Sequence, residues 1–248
     1  MELAKSRTLD VVAPDGITYT LREQNGNDDD VLSTLGDARN NTSLDKFLSG
    51  VIVGPKKLSW EEIHKTMGSA TKYYLVMRSR IFTHGSIVTF KHKFEDGTIQ
   101  EFEEDLTIFD RDLSKEPKED EVENPEIDRI QRYPEIPFRL TQALVIGEKK
   151  IRYQLMTSEV EAVTMGIPRE NISKNDELRA RKLTQLIDTR ELVIQNFRDF
   201  SASDMKAIWA HIRENDINFS LVTKVQTKDK KSTEYTSLLT VPEFFFPL

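Results

Sequence analysis

The stretch Ile87–Leu106, IVTFKHKFEDGTIQEFEEDL, constrains the fold more than any other part of the chain. Apolar and polar residues alternate up to Asp96-Gly97 and alternate again after it. That is the pattern of two antiparallel strands joined by a tight turn in which glycine supplies positive φ. Val88, Phe90, His92 and Phe94 share one face, and Lys91 and Lys93 take the other.

The same grammar recurs. Leu9–Val12 and Ile17–Arg22 flank Pro14-Asp15-Gly16, a turn that again places glycine where positive φ is needed. Later, FRLTQALVIGEKKIRYQLMT reads as two strands around Gly147-Glu148, ELVIQNF as a strand, and INFSLVTKV with TEYTSLLTV as a closing hairpin around QTKDKKS. Helices lie between. In EQNGNDDD, Asn27 or Asp28 caps a short helix carrying Val31, Leu32 and Leu35. Ser43 starts a helix with Leu44, Phe47, Leu48, Val51 and Ile52 at helical spacing, stopped by Gly54-Pro55. Ser59-x-x-Glu62 is a capping box ahead of Trp60, Ile63 and Met67. Further helices are expected for TKYYLVMRSRIF (Tyr73, Tyr74, Met77, Ile81), after Ser158-x-x-Glu161 and up to Gly166-Ile167-Pro168, and over SKNDELRARKLTQLID with Leu178, Leu183, Leu186 and Ile187 inward. The last is FSASDMKAIWAHIREND, with Met205, Ile208, Trp209 and Ile212 inward.

The fold class is therefore α+β, antiparallel hairpins with amphipathic helices. Residues 111–136 break the pattern: nine acids, five bases and three prolines leave little apolar surface to offset the entropy of ordering. This gives an N-terminal α+β domain at 1–110, an acidic, proline-containing linker or excursion at 111–136, and a C-terminal α+β domain at 137–248. Both halves read hairpin, helices, hairpin, and Ile17–Glu23 (ITYTLRE) parallels Ile151–Thr157 (IRYQLMT). Two explanations stand side by side: an internal duplication giving two similar halves, or the plain recurrence of I-x-Y-x-L in amphipathic strands.

Several chemistries lack their residues. The absence of cysteine removes disulfides, zinc–thiolate sites and cysteine nucleophiles together. His64, His84, His92 and His211 are not spaced as ligand pairs, and His92 near Glu95 and Asp96 reads as an exposed strand histidine. Asn25–Asp30 fails the calcium-loop pattern, because an acid stands where that loop needs glycine and Gly36 where it needs a bidentate glutamate. No phosphate loop, nucleophile elbow or H-E-x-x-H is present. No catalytic, cofactor-binding or metal-binding residue is expected. An enzyme with a carboxylate site, drawing on Asp96, Glu103 or Glu104, rests on acid abundance alone. A formal net charge of −7 without a basic run argues against nucleic-acid binding. No stretch approaches the ~20 apolar residues of a membrane span, and MELAKSRTLDVVAPDG lacks the pattern of a secretory signal. A cytoplasmic protein that works by contact is expected.

The runs YTLREQNGNDDDVLSTL, SLDKFLSGVIV and KYYLVMRSRIFTHG, then NFRDFSASDMKAIWAHIRENDINF and the FFFP ending, resemble the baseplate and tail-assembly proteins of contractile-tailed bacteriophages, of the T-even-like baseplate hub type. The resemblance implies a structural component of a baseplate hub or tail tip, present in several copies and bound to other tail proteins, located in the host cytoplasm during assembly and then in the virion. An assembly chaperone absent from the mature particle is the alternative. A soluble acidic adaptor outside phage biology is another.

The ending VPEFFFPL sharpens the contact expectation. Pro242 is expected to end the last strand, since it lacks the N–H a ladder needs. In an extended segment Phe244 and Phe246 then point one way and Phe245 the other. One or two should fold onto the protein itself and at least one should meet a partner. Phe244, Phe245 and Phe246, with the strand acids Glu101, Glu103 and Glu104, are the candidate contact residues.

Overall fold

The computed structural model describes residues 7–33, 42–109, 141–147, 149–165, 173–187, 190–198, 200–216, 219–228 and 232–247. Leu35, the segment 111–136, Glu148, the stop at Gly166-Ile167-Pro168 and Leu248 lie outside the described residues.

Within those residues the chain is α+β, with antiparallel hairpins as expected. Strands β1 (Thr8–Val12) and β2 (Thr18–Arg22) form the first hairpin, with Gly16 at φ 76° in the turn. Helices α1 (Gly26–Ser33) and α2 (Ser43–Val51) follow. The sequence extends α2 through Ile52, but Ile52–Gly54 is strand β3, paired with β2. Helix α3 (Trp60–Thr66) begins at the expected capping box, with the Ser59 hydroxyl accepting from Glu62 N and the Glu62 carboxylate accepting from Ser59 N. Helix α4 (Ser69–His84) is buried on several sides, well beyond a single apolar stripe. Strands β4 (Ile87–Lys93) and β5 (Ile99–Asp105) turn at Gly97, φ 86°, as the Asp-Gly signal requires.

The second half opens with β6 (Thr141–Ile146) and β7 (Lys149–Gln154). Helices α5 (Ser158–Met165) and α6 (Lys174–Ala180) come next. The long charged helix expected here stops at Ala180. Lys182 sits at φ 50°, and Thr184–Ile187 is strand β8, paired with β7 and then with β9 (Arg190–Val193). Non-local strand pairing has overridden a helical spacing of leucines. Helix α7 (Ala202–Asn215) carries a Ser201/Asp204 capping box, and β10 (Val222–Gln226) and β11 (Thr233–Ser237) form the last hairpin.

Among the described residues, the order hairpin, two helices, third strand antiparallel to the second occurs twice, as β1-β2-α1-α2-β3 and as β6-β7-α5-α6-β8. Tyr19 and Leu21 of the first unit and Tyr153 and Leu155 of the second are buried at matching places in the I-x-Y-x-L pattern.

Two apolar cores result. The second is confined to residues 144–212, with Ile151, Leu178, Leu183 and Ile208 fully buried. The first spans Val11 to Phe109 and also takes in Phe219, Leu221, Val225, Leu238, Val241 and Phe244. This departs from the division at 137–248: the closing hairpin and tail complete the N-terminal core. The inner face of β4–β5 supplies apolar surface that β10–β11 and the tail cover, a match between distant segments that local patterning does not carry.

Candidate contact site

The aromatic ending does not run on as an extended strand. After β11 come a 3₁₀ turn, Leu238–Thr240, and a short helix α8, Pro242–Phe245, with Pro242 at its first position. Proline suits that position because its fixed φ is already helical and its missing N–H has no partner there anyway. Pro242 therefore starts a helical turn beyond the strand. The phenylalanines fan out in place of alternating. Phe244 is fully buried, Phe245 is half-buried against the first core, and Phe246 keeps 37% of its surface exposed.

Arg80 fixes this turn. Its Nε donates to the Phe244 carbonyl at 2.7 Å, while Nη1 and Nη2 donate to the carbonyls of Gly85 (2.6 Å) and Ile87 (3.1 Å). Burial pulls the guanidinium below its ordinary pKa. Three carbonyls supply the polar environment that water would otherwise give. The tail is thereby tied to the end of α4 and the start of β4.

The acids of β5 separate. Glu101 and Glu103 stand exposed on the outer face, Glu101 opposite Lys91 and Glu103 opposite Thr89. Glu104 faces inward and accepts a hydrogen bond from the Thr223 hydroxyl of β10. It is spent on the protein itself, and only the other two remain as contact candidates. His92 also departs from the expectation of an exposed strand residue. It lies inward, its Nε2 2.8 Å from Glu234 and its Nδ1 2.8 Å from the Thr236 hydroxyl. A carboxylate only accepts, so Nε2 carries the hydrogen, and in the neutral ring Nδ1 accepts from Thr236. Glu234 also receives the Glu95 N–H. That bond and the one from His92 hold its carboxyl below the usual glutamate range.

A second polar cluster was not legible in the sequence. Asp45 of α2, Lys72 of α4 and Ser158 of α5 are completely buried where α5 meets the first core. Lys72 Nζ lies 2.6 Å from Ser158 Oγ, 3.4 Å from Glu161 and 3.8 Å from Asp45. The Ser158 hydroxyl donates to Asp45 Oδ1 at 2.8 Å, and His64 Nδ1 lies 2.8 Å from Asp45 Oδ2. Tyr73 donates to Glu161, and burial together with that carboxylate pushes its phenol pKa up. The residue types include those of a serine–lysine nucleophile, but the arrangement is a joint. The lysine donates to a serine whose own proton points at a carboxylate, whereas a lysine base would accept that proton. Aspartate, and not histidine, occupies the middle of the Ser–Asp–His chain. Ser158 and Glu161 were expected to cap α5; they reach across to Lys72 instead, and Thr157 takes over at the helix start. Arg181 forms a comparable joint in the second core, with Asp216 at 2.5 Å and Glu177 at 3.1 Å.

The acidic knot at 25–30 serves capping and pairing. Asp28 accepts the Asn25 N–H and holds Arg22 in a two-pronged ion pair at 2.7 and 2.8 Å. Among the described residues no group of three histidine, aspartate or glutamate side chains is placed to hold a metal ion, and no helix is long and apolar enough to cross a membrane.

An open cleft of about 470 Å³ lies between α6 and α7. Met205 and Trp209 form its apolar floor, and Asn175, Lys206 and Arg213 its polar rim. Met205 and Trp209 were expected in the core; only Ile208 and Ile212 of that stripe are fully enclosed.

The chain matches no known family model, no curated protein and no solved structure.

Proposed function

We propose that this protein is a structural component of a contractile-tail baseplate hub or tail tip, acting by protein–protein contact in several copies alongside other tail proteins. The reading takes the phage setting from the sequence resemblance. The contact role rests on the closing aromatic turn. Arg80 and Phe244 anchor it rigidly, and the same turn presents Phe246 to solvent. A rigid aromatic anchor loses little entropy on binding, which is why such residues dominate contact energetics.

The test is a comparison of purified tails from phage carrying the wild-type gene, a deletion or Phe246→Ala. The protein should co-purify with tails at fixed stoichiometry, and Phe246→Ala should lower that stoichiometry while the free protein stays folded. Tails that form normally without the protein refute the reading. Tails that require the protein but do not contain it place it with the assembly chaperones, in the cytoplasm alone.

A further inference from the structure

We infer that the cleft between α6 and α7 receives the Glu243–Phe246 turn of a second copy of this chain, so that copies join head to tail. The two surfaces carry complementary features at the same spacing. On the cleft side, Lys206, Trp209 and Arg213 lie along one line of α7, at i, i+3 and i+7, with Met205 beside the indole. On the tail side, Phe246 N donates to Pro242 O, which places Glu243 one helical turn from Phe246. An acid one turn from an aromatic ring thus faces a base one turn from an apolar floor.

The charges are available. Lys206, Arg213 and Glu243 make no ion pair or hydrogen bond among the described residues, whereas Asp204 on the same helix is used in capping Ser201. The Trp209 Nε1 is buried without an acceptor, so polar bonding does not account for where the indole sits. A cleft of 470 Å³ falls within the range of sites that hold a ligand of a few rings. The chain carries a net charge of −7, so copies repel each other in general, and a local basic cleft gives an acidic turn a preferred place to land. Because the two surfaces differ, the contact is heterologous. It propagates into a ring or an open filament and does not close as a pair.

This inference rests on the contact reading above, and pure protein separates the two. Wild-type protein, followed by sedimentation between about 10 µM and 1 mM, should pass from monomer to species larger than a dimer. Lys206→Gln/Arg213→Gln strips the cleft of its charge, and Glu243→Gln/Phe246→Ala removes the key. Each variant alone should associate at least ~30-fold more weakly, the loss expected for a central anchor. Both should retain the wild-type circular dichroism spectrum. Mixed, they keep one intact cleft and one intact turn, so they should form a one-to-one dimer and nothing larger. A wild type that stays monomeric, variants that still associate alone, or a mixture that does not pair each overturns the inference. If such a protein is nonetheless found in tails, the contact reading stands and the cleft belongs to a foreign partner.

Discussion

Replacing Phe244 and Phe246 separately by alanine should give two very different proteins. Phe244 is fully buried against the first core, in edge contact with Phe245 at 4.9 Å between ring centres. Removing such a ring costs about 3–5 kcal/mol in lost transfer energy and unfilled volume. Arg80 binds the Phe244 carbonyl and not its ring, so the substitution leaves the clamp in place and isolates the apolar term. For a chain of this size each kcal/mol moves the melting temperature by about 2–4 °C, so Phe244→Ala should melt roughly 10 °C lower. Phe246 is 37% exposed, and its replacement should stay within about 1 kcal/mol, a shift of a few degrees at most. Differential scanning calorimetry on both variants makes the comparison. Equal shifts, or a Phe244→Ala protein that melts within ~2 °C of wild type, would refute the assignment of one ring to stability and the other to contact.

Two further outcomes follow from the polar joints. Asp45→Asn leaves Lys72 buried with one charged partner fewer and should cost about 3 kcal/mol in urea unfolding, whereas Asp45→Leu combined with Lys72→Met should cost less than either of those two changes made alone; additive losses would show that the two groups do not act together. Glu234 has a folded-state pKa depressed below the ordinary 4.5, so its stabilisation is complete above that pH and is lost as pH falls through the lower folded value. Glu234→Gln should therefore melt below wild type at pH 7 and converge with it once the pH falls below the depressed folded value, and a gap that persists in acid would contradict the linkage.

What the sequence revealed was local. The Asp-Gly turn at 96–97 and the Ser59/Glu62 capping box are decided by neighbours two or three residues away, and both form as read. Leu183, Leu186 and Ile187 misled because their spacing suits a helix, while the pairing of Thr184 with Arg152 that overrides it lies on another strand. The joints were hidden for the same reason. Lys72 and Ser158 are 86 positions apart, Arg80 and Phe244 are 164 apart, and nothing near either lysine or arginine announces burial. The tail stands out by composition, but which phenylalanine is core and which is exposed depends on a helical turn begun by Pro242.

The way the closing segment returns to the first core sets an order of events during synthesis. Residues 144–212 hold an apolar core of their own, all of whose members are made before residue 219. The first core has to wait. Phe90 and its neighbours on the inner face of β4–β5 lack their cover until residues 219–244 have been made. For that interval the nascent chain carries an open apolar face, and closing it requires a contact across most of the chain's length, the slowest kind to form. Ribosome stalling or premature termination before residue 219 would thus yield a chain whose second core has all its members and whose first core does not.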